Sequence, residues 1–196
     1  GRSFRGAEYR GKWICCRLTG GWLLVNLGMG GEILLHAPGG PLPEKLQAVL
    51  TLDDGQRLSL HFWWFGFLHY VDSLADHRMV GQLGPNADGL SLDAFRALLA
   101  GRRGAIKTFL LDQSRIAGIG NVYIQDPLFK AGIHPLRSIQ TLTDEEVAAL
   151  WAALRDTLRE STEAGGAHFE KTLYGQPGGW SAAFLVGYRE GQPCPA

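Results

Sequence analysis

The chain has 196 residues, of which 45% are hydrophobic and 19% charged, and its formal net charge is zero. That length supports one large domain or two small ones with a real core. No apolar run reaches the roughly 18–20 residues of a membrane-spanning helix, so no membrane partner is expected.

The cysteines, Cys15, Cys16 and Cys194, have spacings that make no disulfide framework. With no secretory leader visible, a cytoplasmic location is expected. The chain opens on Gly1 rather than Met, from which a missing N-terminus is expected. A neutral total argues against a nucleic-acid ligand, but the charge is unevenly placed. Between Gly101 and Ile139 stand Arg102, Arg103, Lys107, Arg115, Lys130 and Arg137 against Asp112 and Asp126 alone, and the stretch 141–170 is acid-rich. A local positive face can therefore hide in a neutral sum.

In chain order, the first third reads as antiparallel β-structure. Short apolar runs at 13–18, 22–27, 32–36, 46–52 and 57–64 are separated by Gly20-Gly21, Gly30-Gly31, a Pro/Gly cluster at 38–43 and Asp53-Asp54-Gly55. This pattern predicts a sandwich or barrel, with one more strand over 66–73. Adjacent Cys15 and Cys16 would face opposite sides of their strand.

Helix signals take over after about residue 90. Ser91 is placed to cap a helix over 92–100. Further helices are expected over 106–112 and 122–131, with Pro127 either in the first turn of the second or starting a kink. Thr143 and Glu146 form a capping box, with Leu142 and Val147 as its staple. Apolar residues at 147, 150, 151, 154 and 158 then mark one helical face, and Gly165-Gly166 closes the helix.

The densest information lies in AIKTFLLDQSRIAGIGNVYIQDPLFKAGIHP, residues 105–135. Gly118 and Gly120 permit a sharp bend that bares successive N–H groups. Asn121 stands where a helix begins. Such a turn is an anion seat, because the N–H groups there lack partners and the helix dipole is positive outward. Lys107 and Arg115 bracket it, and the expected anion is a nucleic-acid phosphate. Gly118-x-Gly120 could instead serve a small nucleotide. However, Tyr123 occupies the third glycine position of a dinucleotide fingerprint, and no βαβ pattern surrounds it.

This stretch resembles the helix–two-turn–helix motif of the formamidopyrimidine-DNA glycosylase and endonuclease VIII family. Arg10-Gly11-Lys12-Trp13 resembles the family's basic strand entry, and Asn26-Leu27-Gly28-Met29-Gly30-Gly31 its methionine loop. LGPNADGLSLDAF resembles the interdomain linker, and Tyr188-Arg189-Glu190-Gly191-Gln192-Pro193-Cys194 the run into a zinc hairpin. The resemblance implies an α+β fold. An antiparallel β-sandwich domain over 1–73 is followed by a linker over 74–90 and a helix–two-turn–helix domain over 91–171. A lesion-loop region and the start of a C-terminal zinc hairpin fill 172–196.

The resemblance also implies base-excision repair: glycosylase and strand-nicking lyase activity on oxidised bases, carried out by an N-terminal proline amine that attacks the sugar. That amine is expected to lie outside this chain, leaving the chain as given inactive. A monomer on double-stranded DNA with a flipped damaged base or an abasic site is implied. The alternative is a non-catalytic paralogue that keeps the phosphate cradle.

Residue by residue, Lys12 would sit near the reacting sugar as a catalytic group, where residue type alone suggests a surface lysine. Lys107 and Asn121 would bind phosphates at the turn made by Gly118 and Gly120. Asn121 could equally be a helix cap. Tyr123 would pack beneath the turn or in the core. Met29 would fill the hole left by the extruded base, or serve as ordinary packing. A family Asp-Pro-Arg-Arg-Phe-Gly loop is replaced here by His61-Phe62-Trp63-Trp64-Phe65-Gly66. Trp63 and Trp64 could stack on bases or lie in a strand core, and Phe65 remains as a wedge. Tyr174 and Trp180, in the loop 172–180, could stack on the extruded base or simply make a hinge rigid. Cys194 matches the first of four zinc ligands, so zinc is expected in an intact parent and none in this chain.

Overall fold

The computed structural model describes residues 1–180 and 184–195. The chain forms two compact units. A sheet unit comprises Gly1–Tyr9, Trp13–His77 and Ser161–Ala182; a helical unit comprises Arg10–Lys12, Arg78–Glu160 and Ala183–Ala196.

Seven strands form two antiparallel sheets: β1 (Phe4–Arg10), β2 (Trp13–Leu18), β3 (Gly21–Asn26), β4 (Glu32–His36), β5 (Ala48–Thr51), β6 (Arg57–His61) and β7 (Phe67–Val71). The four-stranded sheet runs β1-β2-β3-β7 and the three-stranded sheet β4-β6-β5. The β2–β3 register pairs Trp13 with Asn26 and Cys15 with Leu24. This puts Trp13, Cys15 and Leu24 inside, while Cys16 points the other way and is half-buried. The strands fall on the apolar runs read from the sequence, with two exceptions. The sequence pattern does not mark β1: all seven of its residues are exposed, so it has no apolar face. β6 ends at His61, so Trp63 and Trp64 lie beyond the strand rather than in its core.

The helical unit contains α1 (Arg78–Gly81), α2 (Leu92–Leu99), α3 (Ile106–Leu111), α4 (Asn121–Lys130) and most of α5 (Asp144–Glu163). Ser91 Oγ accepts from the Ala94 N–H (3.2 Å), satisfying one orphan donor of α2. The capping box of α5 is reciprocal: the Glu146 N–H donates to Thr143 Oγ1 (3.2 Å) and the Thr143 N–H to Glu146 Oε2 (2.8 Å). Gly165 and Gly166 adopt positive φ, and the Gly166 N–H returns to the Ser161 carbonyl (2.8 Å), closing α5. Phe95, Ile106, Leu110, Ile116, Ile119, Ile124 and Leu150 are sealed in one core.

Pro127 is the seventh residue of α4, so it sits inside the helix rather than in its first turn. The preceding Asp126 is almost wholly buried. Its two oxygens accept the N–H groups of Leu185 and Val186 (3.1 Å each). A buried carboxylate satisfied in this way ties the tail to α4.

Candidate nucleic-acid interface

The turn before α4 is assembled from three stretches of chain. The Ala117 N–H donates to the Pro85 carbonyl and the Ala87 N–H to the Ala117 carbonyl (2.9 Å each). The Gly11 N–H donates to Asn86 Oδ1 (2.7 Å). Gly11 has φ +56°, and a Cβ there would stand 2.9 Å from the Ala117 Cβ. A side chain at 11 is therefore excluded by both space and backbone conformation. Close packing at this point carries Lys12 over the turn, with its Nζ 3.8 Å from where a Gly120 Cβ would be.

The N–H groups divide differently from the sequence expectation. Gly118 does not offer its N–H outward; it donates to Gln113 Oε1 (3.0 Å). Gln113 also donates from Nε2 to the carbonyls of Leu111 (3.1 Å) and Ile119 (3.0 Å), so one amide side chain holds the turn in shape. Among the described residues no acceptor takes the N–H of Asn121 or Val122. These are the first two residues of α4, where unpaired donors and the positive end of the helix dipole coincide.

Asn121 is exposed and is not the helix cap; Gly120 holds that position. The Asn121 Oδ1 accepts from Gln125 Nε2 (3.3 Å). The Tyr123 ring lies against Gly120, 3.7 Å from a Cβ built there. Desolvation pulls the Lys12 ammonium below its ordinary 10.5, although the side chain keeps contact with solvent. A nearby anion would reverse that shift. Lys107 is half-buried in the first turn of α3. Arg115 does not bracket the turn as a free cation: its Nε lies 3.7 Å from Asp112 Oδ2.

In the sheet unit a second group assembles. The Met29 N–H donates to the Trp64 carbonyl (2.8 Å). A Cβ on Gly28 would come within 2.6 Å of the Gly66 nitrogen, so the loops at 28–30 and 63–66 lie backbone to backbone. Met29, Trp63, Trp64 and Phe65 are 62%, 59%, 65% and 74% exposed. Exposure of this degree makes them a surface cluster and excludes the core alternative for the tryptophans and the methionine. Phe65 holds φ +56°, a strained conformation for a bulky residue, at the tip of the loop. Lys45 Nζ stands 5.5 Å from the Trp63 ring centre.

Tyr174 is also strongly exposed, at the tip of a turn closed by Thr172 N–H to Gln176 O and Gly175 N–H to Thr172 O (2.9 Å each). The Leu35 N–H donates to the Leu173 carbonyl (2.8 Å), and Lys171 Nζ meets Glu32 Oε2 at 2.7 Å, which lays this segment along β4. Trp180 is buried, so it offers no stacking face, contrary to expectation.

Cys194 is exposed and free, and no three His, Cys, Asp or Glu side chains come together among the described residues. Gly118-Ile119-Gly120 follows an irregular segment rather than a strand, which removes the dinucleotide-fold context.

Sequence reasoning missed Gly11, Asn86 and Gln113 as the scaffold of the turn. Gly11 lies within the Arg10–Trp13 stretch, and its position before Lys12 was the available signal.

Two antiparallel sheets followed by α3, a glycine turn and α4 are the arrangement that the helix–two-turn–helix resemblance implies. Comparison with known proteins makes the assignment specific. Residues 83–172 match the model described as "Formamidopyrimidine-DNA glycosylase H2TH domain", and residues 1–62 the corresponding "N-terminal domain". A formamidopyrimidine-DNA glycosylase of Gluconobacter oxydans is 40% identical over 198 residues, covering 95% of this chain and 71% of the relative. One from Roseiflexus sp. is 37% identical, covering 100% and 74%. The crystal structure of MutM (Fpg) from Thermus thermophilus superposes with a TM-score of 0.87 at 35% identity, over 100% of this chain and 75% of that one. A Lactococcus lactis Fpg complexed with DNA containing an abasic site shares the fold (TM-score 0.87, 23% identity, 100% and 74% covered). The chain belongs to the formamidopyrimidine-DNA glycosylase family.

Proposed function

We propose that this chain is the DNA-gripping body of a glycosylase acting on damaged bases in double-stranded DNA. The observation that carries this reading is the turn before α4, where two N–H groups with no acceptor among the described residues lie beside the Lys12 ammonium. Asn121 and Lys107 bind backbone phosphates there, which positions the duplex without reading its sequence. Gly118 and Gly120 let the backbone come close, and Tyr123 supports Gly120 from beneath.

A base inside a duplex must leave the stack before chemistry, at a cost of a few kcal/mol. Met29, Trp63, Trp64 and Phe65 supply apolar and aromatic surface to refill the gap. Stacking is worth about 1–3 kcal/mol per base and is indifferent to base identity. Tyr174 adds a further exposed ring. Lys12, with its ammonium destabilised, is suited to hold or move a proton near the sugar. In the chemistry the family resemblance implies, an N-terminal proline amine forms a Schiff base with the sugar and elimination nicks the strand. Residue 1 here is Gly, and no step is assigned to it.

Binding to a duplex with a central abasic analogue, measured across a salt series, tests the grip. Lys107→Ala and Asn121→Ala should each weaken binding on every sequence. Lys107→Ala should also lower the salt slope by about one unit, the share of a single neutralised phosphate. Unchanged binding in both variants would remove these residues from the role.

The tryptophan pair favours a second reading, a DNA-binding protein without lesion chemistry, because tryptophan cannot offer the widowed base the charge and the donor fork of arginine. Borohydride trapping of the full encoded protein on abasic DNA separates the two. A covalent adduct supports the lyase, and its absence supports the binder.

A further inference from the structure

Six basic side chains stand between Gly101 and Ile139, and the structure sorts them. Arg115 faces Asp112 (3.7 Å), Lys130 faces Glu160 (3.8 Å) and Arg137 faces Glu146 (3.3 Å). Three have no carboxylate partner among the described residues: Lys107, proposed above as a phosphate ligand, and the adjacent Arg102 and Arg103. Arg102 makes one long hydrogen bond, from Nε to the Leu98 carbonyl (3.4 Å). Both arginines are exposed on the loop joining α2 to α3, between Gly101 and Gly104, each at positive φ.

This loop is firmly mounted. The Arg102 N–H donates to the Leu99 carbonyl, and the Ile139 N–H to the Gly104 carbonyl (3.0 Å each). The N–H groups of Ile106 and Lys107, the first two of α3, are spent on the carbonyls of Arg137 (2.9 Å) and Pro135 (3.2 Å). The charge offered to an anion here is that of the arginine side chains. Two open clefts of about 510 and 470 Å3 flank the loop, and Gly101, Arg102 and Arg103 line both. Arg96 and Asp144 lie on the first cleft, Asp112 and Arg115 on the second. Asp112 is already engaged by Ser114 and Arg115, and Arg96 by Asp93 (3.4 Å). Asp144 is left without a cation partner among the described residues, but the loop itself carries only positive charge, on forks suited to two phosphate oxygens at once.

Resting on the DNA-binding reading above, we propose that Arg102 and Arg103 form a second phosphate-binding site, which takes the duplex backbone outside the stretch held by the turn at Gly118–Asn121. It extends the footprint along the duplex and carries no base preference. Its ligand is a pair of phosphodiester groups of double-stranded DNA.

The test compares two duplexes with the same central abasic analogue, one of about one helical turn and one of about three turns. The wild-type chain should show a steeper salt slope on the longer duplex. The double variant R102A/R103A should lose about one to two units of slope on the longer duplex and nothing on the shorter, and R102K/R103K should retain most of it. Equal thermal midpoints for the variants and wild type exclude misfolding as the cause. An unchanged slope on the long duplex overturns the proposal, as does an equal loss on both lengths, which would place the arginines in the primary seat. So does loss of binding to an acidic polypeptide with DNA binding intact. If wild type binds neither duplex, the proposed function itself fails, a different result from binding both with equal slopes.

Discussion

Lys12 joins the packing of the turn to its chemistry. Gly11 can approach Ala117 only because it has no side chain, and that approach holds the next residue's ammonium over Gly120. Desolvation there lowers the Lys12 pKa from 10.5. A phosphate arriving beside it favours the charged form and raises the pKa again. Between the lowered value and 10.5, DNA binding should therefore take up protons. Calorimetry of abasic-DNA binding at alkaline pH, in buffers of different ionisation enthalpy, should show this uptake in wild type and lose it in Lys12→Ala. Equal proton uptake in both proteins would assign it elsewhere.

Among the elements, the connection holding Gly11, Asn86 and Ala117 together has its own test. Placing a Cβ at a left-handed position costs about 1–3 kcal/mol. Gly11→Ala adds to that cost a clash with the Ala117 Cβ, whereas Gly39→Ala at φ +70° meets nothing within 4 Å. Urea unfolding should show the larger loss for Gly11→Ala, and only that variant should also weaken DNA binding. Elements of this kind were the least legible in the sequence. β2 and β4 were readable because Trp13–Leu18 and Glu32–His36 are compact apolar runs set off by glycine turns. α2 and α5 announced themselves through Ser91 and the Thr143–Glu146 box. β1 carried no burial pattern to read. Gln113 and Asn86 act through amide groups on distant backbone, which leaves no local periodicity. The candidate site divided in the same way. Lys12, Asn121 and the aromatic loop were visible in motifs. The spending of the Gly118 N–H on Gln113 and of Arg115 on Asp112 needed coordinates. Trp180 read like Tyr174 until burial separated them.

At the scale of the whole molecule, net neutrality conceals local pairing. Among the described residues of the helical unit, Arg115, Lys130 and Arg137 each face a carboxylate, whereas Lys12, Arg102, Arg103 and Lys107 do not. The sheet unit adds a pH-dependent contribution to stability of its own. In the sheet unit His77 is buried against Trp13 (ring centres 4.9 Å apart) and approaches His69 to 2.7 Å, nitrogen to nitrogen. Burial first, then the His69 charge, holds His77 below its ordinary 6.5. The folded chain thus resists a proton that the unfolded chain accepts. This contribution is complete above 6.5 and is lost as pH falls from there through the lowered value. Thermal unfolding should occur at lower temperature as the medium is acidified from about pH 7 to about pH 5.5, and His77→Gln should flatten that decline. An equally steep decline in the variant would transfer the effect to other groups.

The hydrogen bond from Gly11 to Asn86 spans 75 positions of the chain, and Ala117 enters the same junction from farther still. Loop closures of that span come late, since their entropy must be met before they return any stabilisation. Competence to hold DNA should then be the last property regained on refolding, appearing after the helices and sheets have recovered their spectra. Affinity for an abasic duplex would serve as a clock for completion of the native state.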